Sequence, residues 1–395
     1  MVKIITDKEK IDELLTRGVA EVINKEHLRN LLLSGKRLRI KLGIDPTSSH
    51  IHIGRAVVLW KLRAFQELGH EVIFIVGDAT GVIGDTSDKE AERPMLSEKE
   101  VKKNAKTYLD QAFKIIDKKK TETHYNSEWL SQLGFLELAK IANLFGLHEF
   151  EARENISRRM RAGKRVSYHE LMYPLMQGYD SVAVKADVEL GGTDQRFNLL
   201  TGREIQRAYS QAPQDILMTE LLEGSDGRKM SSSWGNVINI TDEPGDMFGK
   251  VMSIGDEFMK RYFLLATDVS LQNISLMLKK GPRDAKFALA GEVVARYYGE
   301  KKAEQAKREF ENTFSKGIKP TEIERMAIRK KEIGLIDLLV ETKMASSKSE
   351  ARRLIEQGAV RIDDKKKIDV SELISLEKEI LLQVGPRRFI RITSS

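Results

Sequence analysis

The sequence predicts an α/β fold: a parallel-sheet domain with a helical insertion, then an all-helical segment, then a small α+β domain. Three observations lead there. Residues 38–44 form a short apolar run leaving through Gly43-Ile-Asp45-Pro46, residues 53–68 carry Val58, Leu59, Leu62 and Phe65 at helical spacing, and residues 72–76 are a continuous β-branched and aromatic run. Strand, helix and strand at this spacing make a right-handed βαβ unit and hence a parallel sheet. Beyond residue 236 the pattern turns helical, with breaks at Gly255, Gly281-Pro282 and Gly299. Near the end, Ser347-Lys-Ser-Glu350 reads as a capping box before Ala351, Leu354 and Ile355, and Val360 and Ile362 alternate with Arg361 in a following strand.

Gly69 sits where a C-terminal cap closes the first helix, and Gly358 does the same for the last. The stretch 96–167 reads as mostly helical and charged, with an apolar stripe through Leu138, Ile141 and Phe145. A strand is expected over 181–190, ending in Gly191-Gly192-Thr-Asp194. These readings divide the chain into residues 1–236, with an insertion at about 96–167, a helical segment over 237–325, and a last domain over 334–395.

At 395 residues the chain exceeds one ordinary core, so two or three domains are expected. Its composition, 41% hydrophobic and 32% charged, suits a folded, charge-rich protein rather than a disordered one. The net charge of +7 permits a polyanionic partner without requiring one. Cysteine is absent, which excludes disulfides, thiolate zinc sites and a cysteine nucleophile. The first ten residues turn charged before an apolar signal core forms, and no apolar run is long enough to span a bilayer. A cytoplasmic protein with no membrane partner is expected, and Asn155-Ile-Ser157 is then a chance glycosylation match.

Two distant strings carry chemistry. The first, Lys41-Leu-Gly-Ile-Asp45-Pro46-Thr47-Ser-Ser-His50-Ile-His52-Ile-Gly54-Arg55, runs from a strand into a helix start. A helix N-terminus offers unpaired N–H groups and partial positive charge to a phosphate. Gly-rich phosphate-loop spacings are missing from this turn, so Thr47 and His52 are the available side-chain donors, and Gly54 allows close approach to the backbone. His50 and His52 lack a third ligand nearby, so no metal site is expected. The second string is Asp226-Gly-Arg228-Lys229-Met230-Ser231-Ser232-Ser233-Trp-Gly-Asn236. Glycines at 224, 227 and 235 free this loop to close its lysine over phosphates as charge builds on a leaving group.

Together the two strings resemble the ATP-handling sequences of class I aminoacyl-tRNA synthetases. Arg55 stands where the family's His-Ile-Gly-His has its last histidine, and Ser232 stands where its lysine loop has a second lysine. Three further segments narrow the resemblance to the tyrosyl-tRNA synthetases: Gly77-Asp-Ala-Thr80-Gly-Val-Ile-Gly-Asp85, Tyr173-Pro-Leu-Met-Gln177-Gly-Tyr179-Asp180, and Gly191-Gly192-Thr-Asp194-Gln195-Arg-Phe-Asn198. It covers nearly the whole chain and implies a Rossmann-like catalytic domain, a helical anticodon-binding domain, and a C-terminal RNA-binding domain similar to a small-subunit ribosomal protein module.

Residue by residue, the resemblance gives Thr47, His52, Lys229 and Ser232 catalytic roles. Asp45, Pro46, Gly54 and Arg55 would meet ATP, as would Gly192, Asp194, Met230, Ser231 and Ser233. Asp85, Tyr173 and Gln177 would hold the α-ammonium of L-tyrosine, Asp180 would accept its hydroxyl, Gln195 would place its carboxylate, and Thr80 would line the pocket. Lys41 occupies the place of a first-strand tyrosine that shares the substrate hydroxyl. Either Asp180 then works with a different partner, or Lys41 fixes its orientation. The family chemistry is attack of the tyrosine carboxylate on ATP to give tyrosyl-adenylate and pyrophosphate, then transfer to the 3′ end of tRNA. A carboxyl with a pKa of roughly 3.5 needs no general base. Magnesium would arrive with ATP, and no protein-bound metal is expected. Lys348, Arg352, Arg353 and Arg361 would contact RNA, and the helical insertion would support a homodimer. A tryptophanyl-tRNA synthetase is the alternative, against which Asp180 and the C-terminal module argue. A non-catalytic RNA-binding relative is disfavoured by Thr47, His52, Asp85, Asp194 and Lys229.

Overall fold

The computed structural model describes residues 3–87, 95–231, 235–315, 323–345, 347–385 and 388–394, so Ser232 and Ser233 lie outside the described residues. The chain divides into two compact units: Met1–Glu243 with Lys250–Gly299, and Pro244–Gly249 with Glu300–Ser395. Contacts therefore group most of the helices expected over 237–325 with the sheet, and the helix Glu300–Ser315 together with residues Pro244–Gly249 with the C-terminal strands.

The first unit is built on a six-stranded sheet. Its strands are β1 (Val19–Ile23), β2 (Arg39–Ile44), β3 (Glu71–Val76), β4 (Thr121–Tyr125), β5 (Val188–Gly192) and β6 (Asp215–Thr219), in the order β1-β6-β5-β2-β3-β4. All neighbours are parallel except the β1–β6 pair at one edge. From β2 the chain moves outward to β3 and β4, then returns to the other side of β2 for β5 and β6. The order reverses between β2 and β5. In open α/β sheets ligands bind outside the carboxyl ends of the strands at such a switch point.

The β2–β5 ladder is short. It registers Ile40 with Val188 and Lys41 with Glu189, and pairing stops there, although β2 runs on to Ile44 and β5 to Gly192. By contrast β2 and β3 pair along six residues. The sheet thus parts at the Lys41–Glu189 rung, and a crevice opens beyond it.

The βαβ unit forms as its sequence predicts. The helix Ile53–Glu67 buries Ala56, Leu59, Leu62 and Phe65, and Gly69 takes φ +95° just past its end. Two expectations fail. β4 lies inside the stretch read as helical; its Thr-Glu-Thr-His-Tyr sequence is a half-exposed edge strand with no apolar run to signal it. The strand expected from residue 181 begins only at Val188, because the helix Tyr168–Ala183 continues through Ser181-Val-Ala. That helix is fixed at its start by a Ser167–Glu170 capping box and a fully buried Arg159–Glu170 ion pair at 2.5 Å. Along its length Gly178 meets the backbone of Gly202 on the helix Arg196–Ala208. Tertiary packing overrides the local β preference of Val182 and Val184.

Helices of Lys250–Gly299 pack onto this body. Helix Pro282–Tyr298 begins after Gly281 (φ +96°), ends at Gly299 (φ +80°), and lays the Arg296 guanidinium 4.0 Å from the Trp60 ring centroid.

In the second unit five strands run in the order β10 (Lys365–Lys367), β9 (Val360–Ile362), β12 (Ile380–Val384), β13 (Arg388–Ser394) and β7 (Arg325–Ile328). A two-stranded pair joins β11 (Leu373–Ser375) to β8 (Glu332–Gly334). Helices Leu335–Glu341 and Lys348–Glu356 bury Leu335, Leu338, Leu339, Ala351 and Ile355 in a core with Leu382 and Ile392. Ser347 caps the second of these through the Glu350 amide at 3.2 Å, and Gly358 follows its end with φ +66°.

The Gly178–Gly202 approach is the tightest constraint on the helix pair beside the crevice. A methyl group on Gly178 would lie 2.7 Å from Ile205 Cδ1 and 3.2 Å from the Gly202 amide nitrogen. We expect Gly178→Ala to lower unfolding free energy by about 1–3 kcal/mol in urea titration, through overpacking.

Candidate active site

A cleft of about 380 Å³ opens where β2 and β5 diverge, walled by Leu42, Gly43 and Ile44 on one side and by Leu190, Gly191 and Gly192 on the other. Its remaining walls come from the turns after β2, β3 and β5, the helix Tyr168–Ala183, and the loop through Lys229.

One end is a hydrogen-bonded set around two carboxylates, Asp180 and Asp45. Asp180, 2% exposed, accepts from Trp129 Nε1 at 2.8 Å and from Asn126 Nδ2 at 3.2 Å. Asn126 Nδ2 also meets Thr80 Oγ1 at 3.0 Å, and Thr80 donates to Asp45 Oδ1 at 2.7 Å. Tyr173 Oη donates to the other Asp45 oxygen at 2.8 Å. Asn126 Oδ1 receives the Ala79 amide at 3.0 Å, which fixes the amide orientation and leaves Nδ2 to donate. Burial pushes the Asp180 carboxyl up to about 7, against the lowering pull of the Lys41 charge and the bonds from Trp129 and Asn126. Burial likewise pushes the Tyr173 phenol up, so it remains a neutral donor.

Asp85 stands on the neighbouring wall. Ser87 gives it an N–H at 2.9 Å and a hydroxyl at 2.6 Å, and Gln195 Nε2 donates to its second oxygen at 2.7 Å. Asn198 Nδ2 donates to Gln195 Oε1 at 3.0 Å, while Arg153 donates to Ser87 Oγ at 2.8 Å from above the Phe197 ring. An acceptor-rich pocket of this kind suits a small cation beside a hydroxyl.

The other end is basic. His52 is the N-cap of helix Ile53–Glu67, and its Nδ1 accepts from the Arg55 amide at 3.2 Å. That bond puts the ring proton on Nε2. Burial, then the charges of Arg55 and Lys229, pushes the imidazole down to about 3, so His52 is neutral near pH 7 and donates without carrying charge. A methyl group on Gly54 would crowd this ring, 3.1 Å from Nδ1. Lys229 Nζ reaches Asp194 Oδ2 across the cleft at 2.8 Å, the two side chains being 36% and 21% exposed. Thr47, Ser48 and Arg55 complete this wall, with Arg55 donating to Tyr108 Oη at 3.2 Å.

The two distant strings meet because backbone bonds join them: Ile53 N to Ile238 O at 2.8 Å and Ile240 N to Ile51 O at 2.9 Å. Asn236 holds the lysine loop, donating to Asp226 Oδ1 at 2.7 Å and to Lys229 O at 3.2 Å while accepting from Ser231 N at 2.9 Å.

Most residues named from the sequence line this one cleft. On its basic side stand Thr47, His52, Gly54, Arg55, Lys229, Met230 and Ser231. On its acidic side stand Asp45, Thr80, Asp85, Tyr173, Gln177 and Asp180, with Gly192, Asp194 and Gln195 between. Asp45, expected at the nucleotide, is turned to Thr80 and Tyr173. Lys41 and Pro46 are buried and do not line the cleft. Lys41 gives its ammonium to Glu189 at 2.8 Å, Ser181 Oγ at 2.8 Å and the Gln177 carbonyl at 2.9 Å. Asn126 and Trp129 were missed, since they follow the unrecognised strand β4. Asn236 was quoted in its string without a role, and only its buried contacts reveal one.

In the second unit Arg352, Arg353 and Arg361 are exposed, and Lys348 pairs with Asp337 at 2.8 Å. Arg361 stands opposite Lys366 on β10, adding a basic hairpin to that surface. A second cavity in the first unit, about 440 Å³, is lined in part by Arg17, Lys61 and Arg296. There Lys61 and Arg17 donate to backbone carbonyls of Leu14, Arg17, Phe263, Leu264 and Thr267. Those cations close helix ends and fit no substrate. Among the described residues no group of three or more His, Asp or Glu is arranged for a metal, and no helix is long and apolar enough to cross a membrane.

Comparison with known proteins agrees with this geometry. Residues 33–315 match the family model "tRNA synthetases class I (W and Y)", and residues 309–383 match "Tyrosine--tRNA ligase SYY-like C-terminal domain". The tyrosine--tRNA ligase of Colwellia psychrerythraea is 45% identical over 99% of this chain and all of its own length. That of Thermotoga maritima is 43% identical over 98% of both chains. Among solved structures, the C-terminally truncated mitochondrial tyrosyl-tRNA synthetase of Aspergillus nidulans shares the fold, with TM-score 0.65 and 21% identity over 77% of this chain and 94% of its own. The Archaeoglobus fulgidus enzyme complexed with L-tyrosine gives TM-score 0.61 at 24% identity, covering 76% of this chain and all of that one. With one cleft uniting both strings and full-length relatives on every side, the chain belongs to the class I tRNA synthetases of the W and Y group, in their tyrosine--tRNA ligase family.

Proposed function

We infer that this protein activates L-tyrosine with ATP and transfers the tyrosyl group to tRNA, and that the cleft residues divide the work by charge. The observation that carries this reading is a single cleft with the buried, donor-held Asp180 at one end and His52 with Lys229 at the other.

The tyrosine ring enters toward Asp180, which accepts a hydrogen bond from the phenolic hydroxyl while Trp129 and Asn126 hold the carboxyl group in place. The α-ammonium lies among Asp85, Tyr173 and Gln177, and Gln195 guides the carboxylate. ATP lies along the basic wall over Gly54, with Gly192 and Asp194 at the ribose. The tyrosine carboxylate oxygen bonds to the α-phosphorus as the bond to pyrophosphate breaks. Catalysis rests on alignment and charge neutralisation, with Thr47 and His52 Nε2–H donating to phosphate oxygens. Lys229 and Asp194 hold one another across the cleft, and so exposed a pair is weak. ATP separates them: Asp194 takes a ribose hydroxyl and Lys229 turns to the β- and γ-phosphates. Magnesium comes with ATP as part of the substrate.

Tryptophan activation is not favoured, because residues 309–383 match a tyrosine--tRNA ligase C-terminal domain and the full-length relatives are tyrosine--tRNA ligases. Arg352, Arg353 and Arg361 form the basic surface offered to tRNA phosphates, with Lys348 at its margin. The exposed Phe135, Leu136 and Leu147 of the helical insertion, with Tyr168 just after it, support a homodimer, and the protein works in the cytoplasm.

ATP–pyrophosphate exchange with tyrosine, tryptophan and phenylalanine tests the activity. Only tyrosine should support it well, with phenylalanine disfavoured by about 10⁵-fold, a magnitude taken from this enzyme class itself rather than derived from the cleft. Exchange driven equally by tryptophan defeats the assignment. For Lys229→Ala we expect kcat to fall about 10²–10³-fold, the loss typical of one donor to developing charge, with the tyrosine KM nearly unchanged. Asp180→Asn should erase most of the tyrosine preference. It should also change stability with a definite sign. A carboxyl raised to about 7 by burial loses its proton above that pH in the folded state but near 3.8 when unfolded. Folding is therefore progressively disfavoured as pH rises from about 4 through 7. The asparagine variant should have a higher Tm than the parent at pH 8 and nearly the same Tm at pH 4, read by thermal unfolding.

A further inference from the structure

Lys41 and Glu189 face each other at the last registered rung between β2 and β5, and both are essentially unexposed. The contacts around them form a closed set. Lys41 donates to Glu189 Oε1, to Ser181 Oγ and to the main-chain oxygen of Gln177. Glu189 also accepts from Gln177 Nε2 at 3.2 Å, from Ser181 Oγ at 3.1 Å and from Gln214 Nε2. Neither lines the cleft, but Gln177 does.

A glutamine beside a cationic substrate has two faces to offer, and only its carbonyl oxygen attracts an ammonium. An ionised carboxylate behind it accepts from the NH₂ group and so turns the oxygen forward. Lys41 makes that arrangement tenable, because an uncompensated carboxylate in this position would be a second anion competing for the same ammonium from behind the wall. Its bond to the Gln177 carbonyl tethers the helix turn carrying Gln177 and Asp180 to the end of the sheet.

We propose that Lys41 and Glu189 are positioning residues of the amino-acid site: through Gln177 they present an acceptor oxygen to the α-ammonium of the substrate and take no part in reading its hydroxyl. This rests on the reading that Gln177 receives that ammonium, and it gives the first-strand lysine a different task from the hydroxyl-sharing tyrosine it replaces.

The test compares the charge-neutral double variant Lys41→Met/Glu189→Gln and the single variant Glu189→Asp with the parent in pyrophosphate exchange. Inhibition by 3-(4-hydroxyphenyl)propionate, a tyrosine analogue without the ammonium, is measured in parallel. We expect the KM values for tyrosine and phenylalanine to rise together by about tenfold, the scale of one charge-assisted contact. The kcat, the ATP KM, the tyrosine–phenylalanine ratio and the analogue's inhibition constant should all stay within a few fold. An unchanged tyrosine KM overturns the proposal. So does collapse of the tyrosine–phenylalanine ratio, which makes Lys41 a hydroxyl reader, or an equal loss of analogue binding, which makes the pair mere packing. If the double variant does not fold, Glu189→Asp decides alone, since it keeps the charges of the pair while drawing the carboxylate away from Gln177 Nε2. Gln177→Ala separates the two levels. If it leaves the tyrosine KM unaltered, the ammonium assignment fails; if it raises KM while the pair variants do not, only the positioning role fails.

Discussion

The structure depends on the early parting of β2 and β5. Two registered pairs hold these central strands together, and everything chemical happens where they cease to pair. Backbone N–H and C=O groups released from a ladder must find other partners, and in a cleft they face water or substrate. Had the ladder continued to Ile44 and Gly192, the glycines of both strand ends would be buried in sheet, and no room would remain for an amino acid between them. Gly77 shows how tightly the resulting walls are fitted: a methyl group there would overlap Asp45 and Thr80.

The two ends of the cleft solve opposite electrostatic problems with one device, burial. On the acidic side desolvation raises Asp180, and the bonds from Trp129 and Asn126 with the Lys41 charge offset part of that rise. On the basic side it lowers His52, so the imidazole donates without adding a charge to be displaced. Between them the hydrogen-bonded run Asp180, Asn126, Thr80, Asp45 and Tyr173 is continuous. Such a run orders a site without covalent constraint, because each member fixes the donor and acceptor sense of the next.

Much of this was legible in the sequence. The first βαβ unit announced itself through apolar periodicity, and the two polar strings, taken together and in their order, carried the resemblance to the family. What was not legible follows one physical pattern. β4 has no apolar signature because an edge strand buries little, so Asn126 and Trp129, which it delivers to Asp180, stayed hidden with it. The end of helix Tyr168–Ala183 reads locally as strand and is helical only because capping and the glycine contact outweigh propensity. Lys41 looked like a substrate reader because its neighbours in sequence are. Its ammonium is instead taken up by Glu189, which the register sets opposite it, and by Ser181 and the Gln177 carbonyl.

That rung has a consequence for how such a protein can change over generations. Replacing one member of a fully buried ion pair strands its partner, at a cost of about 3–5 kcal/mol, a large share of the stability of an ordinary domain. Drift at residue 41 is therefore locked to drift at residue 189. A lineage carrying lysine here cannot reach the tyrosine alternative by one tolerable step, so the two solutions persist as separate inherited types divided by a fitness valley rather than as interchangeable variants.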